Sequence, residues 1–180
     1  MKAGILKLIL LICIVFINQK TRAEGQIIDS NLKARFLYTF ISFTEWPEKA
    51  FVDSDSAYKI GILGDGAIVK LYQTMKRNDI NGREIHAESL PLDYLTQDLS
   101  RYQILFVRES HKSHLAKLQE VTKDLPILVI SENINQENQL SMINFIKLGN
   151  KVRFAINNEN AKSAGIKFRS QLLKVATKVM

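Results

Sequence analysis

No segment limits the fold as strongly as Tyr102-Gln103-Ile104-Leu105-Phe106-Val107. Four consecutive apolar residues leave neither face of a strand for water, so such a strand needs cover on both sides. That cover exists in the middle of a parallel sheet with helices above and below. Three more short runs have strand lengths: Tyr58 to Leu63, ending in Gly64-Asp65-Gly66; Arg83 to Leu90, which alternates; and Ile127 to Ile130, which follows Pro126. Helical spacings separate them. Ile68, Leu71, Tyr72 and Met75 predict a helix ending near Asn81-Gly82, and Leu115, Leu118 and Val121 predict another. Ahead of all these, Leu32, Phe36, Leu37, Phe40 and Ile41 recur at helical spacing behind Asp29-Ser30-Asn31, whose side chains offer N-cap oxygens. This first helix is predicted from Leu32 to Phe43 or Thr44, because the residue before Pro47 is pushed out of the α region.

Strands alternating with helices imply a single α/β domain with a mainly parallel central sheet and helices on both faces. Leu140 to Ile146 and Lys151 to Ile156 predict two further strands meeting at Gly149-Asn150, an antiparallel edge hairpin. The C-terminal segment admits two geometries. Ala161, Ala164, Phe168, Leu172, Val175 and Val179 form one apolar stripe if the helix is continuous. Alternatively, Gly165 ends a short helix, Ile166-Lys167-Phe168-Arg169 is extended, and Ser170 caps a final helix. The glycine favours the second geometry, in which Phe154, Ile156, Phe168 and Leu172 are core.

The first 23 residues read as an export signal. Lys2 and Lys7 precede ten successive apolar residues, Leu8 to Ile17, and Thr21-Arg22-Ala23 offers small residues at the cleavage positions. Ten residues span roughly 15 Å as a helix, half of a bilayer core, so cleavage between Ala23 and Glu24 is expected rather than a retained anchor. Cys13 lies inside the apolar run behind the bulky Ile12, which disfavours lipid attachment. The segment carries Lys2, Lys7, Lys20 and Arg22 and no acid, so +4 of the net +7 leaves with it. A nucleic-acid partner is not expected from the +3 that remains. Instead the charge is asymmetric: residues 151–180 hold seven Lys or Arg against Glu159 alone, while residues 24–150 hold fourteen basic and seventeen acidic side chains. Either this is a solvated basic face or it docks an acidic partner or anionic envelope polymer. The mature chain of 157 residues suits one domain with a real core, and it has no cysteine for a disulfide, a metal or nucleophilic attack.

Catalytic motifs are missing. Gly61-Ile62-Leu63-Gly64-Asp65-Gly66 is G-x-x-G-x-G rather than a dinucleotide or P-loop fingerprint, and it reads as a tight strand-to-helix turn, though its amides could meet an anion. His111 and His114 lack an obvious third ligand, since His86 lies on another element; they are expected to be solvated, and no metal is expected. Ser110 and His111 are adjacent only in sequence, with neither a G-x-S-x-G elbow nor H-E-x-x-H nearby. Asp53 and Asp55 fall in a polar loop. Glu45-Trp46-Pro47 differs from these. The chain's only tryptophan sits among Phe36, Phe40, Phe43 and Phe51, where it either anchors the helix on the sheet or presents its ring to a partner.

Phe43-Thr44-Glu45-Trp46-Pro47 after Leu37-Tyr38-Thr39-Phe40, then Ile60-Gly61-Ile62-Leu63-Gly64-Asp65, closely resembles the YfiR/HmsC-like family of exported bacterial proteins. Met142-Ile143-Asn144-Phe145, Val152-Arg153-Phe154-Ala155-Ile156-Asn157 and Ala164-Gly165-Ile166 through Leu172-Leu173 continue the likeness in order, covering about Leu32 to Ala176. The tail is also similar, more weakly, to the end of one lobe of periplasmic solute-binding proteins. The family resemblance implies a non-enzymatic periplasmic regulator of α/β fold. It would repress a membrane diguanylate cyclase through that enzyme's periplasmic domain, lowering cyclic-di-GMP and biofilm formation, and an outer-membrane lipoprotein would sequester it. Family members often carry disulfide-forming cysteines; their absence from the mature chain here implies no redox control. The residues expected to meet a partner or ligand are Glu45, Trp46, Asp65, Lys162, Lys167, Arg169 and Lys174. No catalytic residue and no cofactor are expected, and a homodimer stays open. The competing reading is a small-ligand sensor or solute-binding module using Trp46 and the Gly64-Asp65-Gly66 turn.

Overall fold

In the computed structural model, which describes residues 30–180 except 54, 65, 76–78, 133–138 and 149–150, the expected alternation of strands and helices is realised. In chain order the elements are α1 (30–42), β1 (Thr44–Glu45), β2 (Tyr58–Leu63), α2 (Ala67–Thr74), β3 (Asp79–Ile80), β4 (Arg83–Ser89) and β5 (Ile104–Val107). There follow α3 (Leu115–Thr122), β6 (Leu128–Glu132), β7 (Ile143–Leu148), β8 (Lys151–Ile156), α4 (Asn158–Ser163), β9 (Lys167–Phe168), α5 (Ser170–Val175) and β10 (Lys178–Val179). Eight strands form the main sheet in the order β10-β8-β7-β6-β5-β2-β4-β3. The run from β7 to β4 is parallel throughout, and the pairs β7–β8 and β3–β4 are antiparallel.

Both faces of the inner parallel strands β2, β5 and β6 are almost wholly buried, in keeping with sequences that are apolar with little alternation, whereas β4 near the sheet edge alternates and is largely exposed. Ile60, Ile62, Ile104, Phe106, Leu128 and Ile130 face a core shared with α1 and α2 through Leu37, Phe40, Ile41, Ile68 and Tyr72. Leu63, Leu105, Val107 and Val129 face the opposite core, closed by Leu115 and Leu118 of α3. The phenylalanines of α1 settle on the hairpin: Phe36 lies 5.5 Å from Phe145 and Phe40 lies 5.0 Å from Phe154, ring centre to ring centre. Both contacts are edge-on, the geometry that the charge distribution of aromatic rings favours.

Several boundaries differ from the sequence reading, each for a physical reason. Helix α1 stops at residue 42, and Thr44 enters a strand because its backbone finds a partner in β9. The Asn81-Gly82 pair does not end a helix. It turns the β3–β4 hairpin, with φ of 56° at Asn81 and 81° at Gly82, as a two-residue turn of matching twist requires. The Gly149-Asn150 turn lies outside the described residues, but Leu148 pairs with Lys151 across it, so the hairpin itself is present. Its first strand begins at Ile143, later than Leu140. The break at Gly165 is realised, with φ of 77° between α4 and β9. Phe154, Ile156, Phe168 and Leu172 are all buried. The final helix, however, ends at Val175: the amides of Thr177 and Met180 instead bond the carbonyls of Phe154 and Ile156 at 2.9 Å each, making β10. Val175 and Val179 are consequently exposed.

Candidate functional site

The Glu45-Trp46-Pro47 turn and the basic C-terminal block, far apart in the chain, meet at one corner. β1 and β9 form a two-stranded antiparallel ladder separate from the main sheet, pairing Thr44 with Phe168 and Glu45 with Lys167. Alternation along these strands gives the ladder a dry and a wet side: Thr44 and Phe168 are buried, Glu45 and Lys167 exposed. Arg169 extends the pairing by donating its amide to the Phe43 carbonyl at 2.9 Å, and its Nε reaches Glu45 Oε1 at 3.3 Å. The Gly165 bend lies against Pro47, where a Cβ on the glycine would come within 3.6 Å of the ring.

Trp46 is half-buried, its ring centred 5.6 Å from Tyr58 at the start of β2. Phe51 meets Tyr58 edge-on at 5.5 Å and carries the Arg83 guanidinium over its face at 4.2 Å. Arg83 is anchored there by donating to the Ser56 carbonyl at 2.6 Å. Burial pushes the Tyr58 phenol above its ordinary pKa, and the positive charges of Arg83 and Arg169 partly oppose the rise. The Trp46 indole Nε1 is buried without a hydrogen-bond partner among the described residues. Trp46 therefore packs against the core and borders the exposed Glu45 and Arg169 at once. The packing realises the anchoring alternative for its ring.

Lys162 on α4 and Lys174 on α5 are exposed, as are Lys167 and Arg169. No ion pair joins Lys162 or Lys174 to the corner among the described residues. Asp65 lies outside those residues. Its flanking turn follows the carboxyl end of β2, whereas Trp46 packs at the amino end, and six residues of strand separate the ends by roughly 20 Å. One small ligand cannot span Trp46 and that turn. Sequence reasoning grouped Phe51 with Trp46 but missed Tyr58 and the Arg83 that stacks on Phe51. Nothing local points Arg83 toward an aromatic ring.

A second polar cluster sits at the carboxyl ends of β5 and β6. Glu132 pairs with Lys33 of α1 and, at 2.7 Å, with Arg108 Nε, and all three side chains are at most 16 % exposed. This trio pins α1 over the sheet; charges so buried require their partners. Beside it, Ser131 Oγ contacts Ser141 Oγ at 2.7 Å and Asn144 Oδ1 at 2.9 Å. The 3-10 turn Glu109–His114 places Ser110 Oγ 2.8 Å from His111 Nδ1, so the adjacency in sequence becomes a contact. No carboxylate orients the other ring nitrogen among the described residues, which leaves the pair short of a nucleophile–base–acid arrangement. His111 and His114 have rings 6.1 Å apart, and Tyr94 covers His114. Among the described residues no three potential ligands gather into a metal site, and no helix is long and apolar enough to cross a membrane.

A family model described as YfiR/HmsC-like matches residues 30–177 of the chain. No curated protein matches it.

Proposed function

The chain belongs to the YfiR/HmsC-like family, and from that premise we propose that it represses a membrane-bound diguanylate cyclase by binding the cyclase's periplasmic domain. The family is regulatory rather than catalytic and is consistent with a periplasmic regulator of cyclic-di-GMP signalling. On this reading the protein is exported, cleaved between Ala23 and Glu24, and lowers cyclic-di-GMP and biofilm formation. An outer-membrane lipoprotein would relieve the repression by sequestering it. Repression needs no chemistry from this chain: binding one conformation of the cyclase more tightly than another shifts its equilibrium.

The observation that carries the reading is the corner itself. A half-buried tryptophan, an exposed acid and two exposed basic residues of the C-terminal block are fixed together by β1 and β9. Tryptophan and arginine are the residue types that most often dominate an interface. The Glu45–Arg169 pair is exposed and contributes at most about 1 kcal/mol to folding, so Arg169→Ala separates docking from stability. The test deletes the gene, measures cyclic-di-GMP, and complements with wild type or Arg169→Ala. Raised cyclic-di-GMP, restored to normal by wild type and not by a stably expressed Arg169→Ala, is the expected outcome. Unchanged levels after deletion, together with no capture of a cyclase periplasmic domain, would overturn the reading. The mass of the exported chain checks the cleavage site.

A further inference from the structure

β8 is the last full-length strand of the main sheet, and among the described residues its outer edge is only partly covered. β10 pairs with Ala155 and Ile156 alone. The carbonyls of Phe154 and Ile156 point outward, since they accept the amides of Thr177 and Met180. Backbone groups alternate in direction along a strand, so the amide and carbonyl of Val152 point to that same outer edge. Among the described residues no strand pairs with the edge over residues 151–153. Lys151 and Arg153 are exposed on one face, the face that also carries Lys178, the register partner of Ala155. Val152 turns the other way and packs on the core.

Two such edges from two copies would set like charges opposite one another, which destabilises a sheet, and edge lysines commonly guard against self-pairing. The same charges favour a strand with acidic side chains at alternate positions. We propose that the open edge of β8 docks an acidic, extended segment of a partner protein, which adds to the sheet as a further strand beside residues 151–153. The inference rests on the partner-binding reading above and assigns it a surface apart from the Glu45–Arg169 corner.

The probe is a fluorescein-labelled peptide of alternating glutamate and valine, with an alternating lysine and valine peptide as control. Both are titrated by anisotropy against the exported chain. The glutamate peptide is expected to bind saturably, to weaken with added salt because the charges are exposed, and to protect the Val152 amide from hydrogen exchange. Affinity should fall about tenfold in Lys151→Gln/Arg153→Gln, which loses two cross-strand charge pairs, and in Val152→Pro, which loses the outward N–H. Should Val152→Pro fail to fold, the double glutamine variant and the exchange measurement decide. No binding by the glutamate peptide overturns the proposal. So does equal affinity in Val152→Pro without protection at Val152, which would mean contact by charge alone. A concentration-dependent dimer abolished by Val152→Pro would also overturn it, by making a second copy the occupant. If a cyclase periplasmic domain binds wild type and Val152→Pro alike, the edge falls and the proposed function stands. If the peptide binds and no cyclase domain does, the edge stands and the cyclase assignment falls.

Discussion

Trp46 combines a large apolar body with an indole N–H that is buried and lacks an acceptor among the described residues. Keeping the ring matters more than keeping the nitrogen. Trp46→Ala is expected to cost about 2–3 kcal/mol, less than for a fully buried ring, whereas Trp46→Phe removes the unsatisfied donor and should cost under about 1.5 kcal/mol. Urea titration of the two variants checks the order. Glu132 behaves oppositely, because its charge and not its size is what Lys33 and Arg108 require. Glu132→Gln keeps the volume yet should destabilise by about 3 kcal/mol, since it takes the countercharge from two buried cations. A loss below about 1 kcal/mol would show that the trio is not what holds α1. The aromatic surroundings of Trp46 already offered a core-anchor role from sequence, but the role of Glu132 was not legible. An isolated Lys, Arg or Glu has no periodicity, and only the packing of α1 over the strand ends reveals that these three are buried.

At the level of elements, the two-residue strands β1 and β9 decide where the C-terminal block lies. Gly165 makes their pairing possible. Gly165→Ala should lower stability by about 1–2 kcal/mol through backbone strain at φ of 77°, although Pro47 leaves room for the methyl group. The same substitution in a continuous helix would have stabilised the chain, so the sign of the change distinguishes the two geometries weighed from sequence. Thermal denaturation provides it. The long elements were readable because each buries a full stripe or a full strand: β5, α2, β8 and the bend at Gly165 all follow from spacing and glycine placement. The short ones were not. β1 and β10 have two residues each, too few for any period, and each exists only because a partner remote in sequence offers it hydrogen bonds; the extended run at β9 was expected, but its partner was not. The misplaced end of α2 has the same origin, since Asn81-Gly82 serves a helix stop and a hairpin equally well until β3 finds β4.

For the whole molecule, two apolar cores on either side of one sheet set both the stability and its dependence on pH. Tyr102 belongs to the α3-side core. Burial first, and then donation of its hydroxyl to Glu88, push its pKa up to about 12 from an ordinary 10.0. The unfolded chain therefore releases this proton at lower pH than the folded protein does. The stabilising contribution is complete below about pH 10 and is lost between about pH 10 and 12. Urea unfolding across that range should show a decline that Tyr102→Phe reduces; an equally steep decline in the variant would assign the loss to other groups. The amino-acid sequence by itself determined the α/β class, the strands apolar on both faces, the break at Gly165 and the concentration of basic charge after residue 150. These are properties of local spacing and composition, and burial must follow them wherever the chain runs. Only the tertiary structure decided that Glu45 meets Arg169, that Trp46 lies at the opposite end of β2 from the Gly64 turn, and that no strand among the described residues pairs with the β8 edge over residues 151–153. Such juxtapositions depend on strand order and register, and these are set by the packing of the whole sheet rather than by any segment within it.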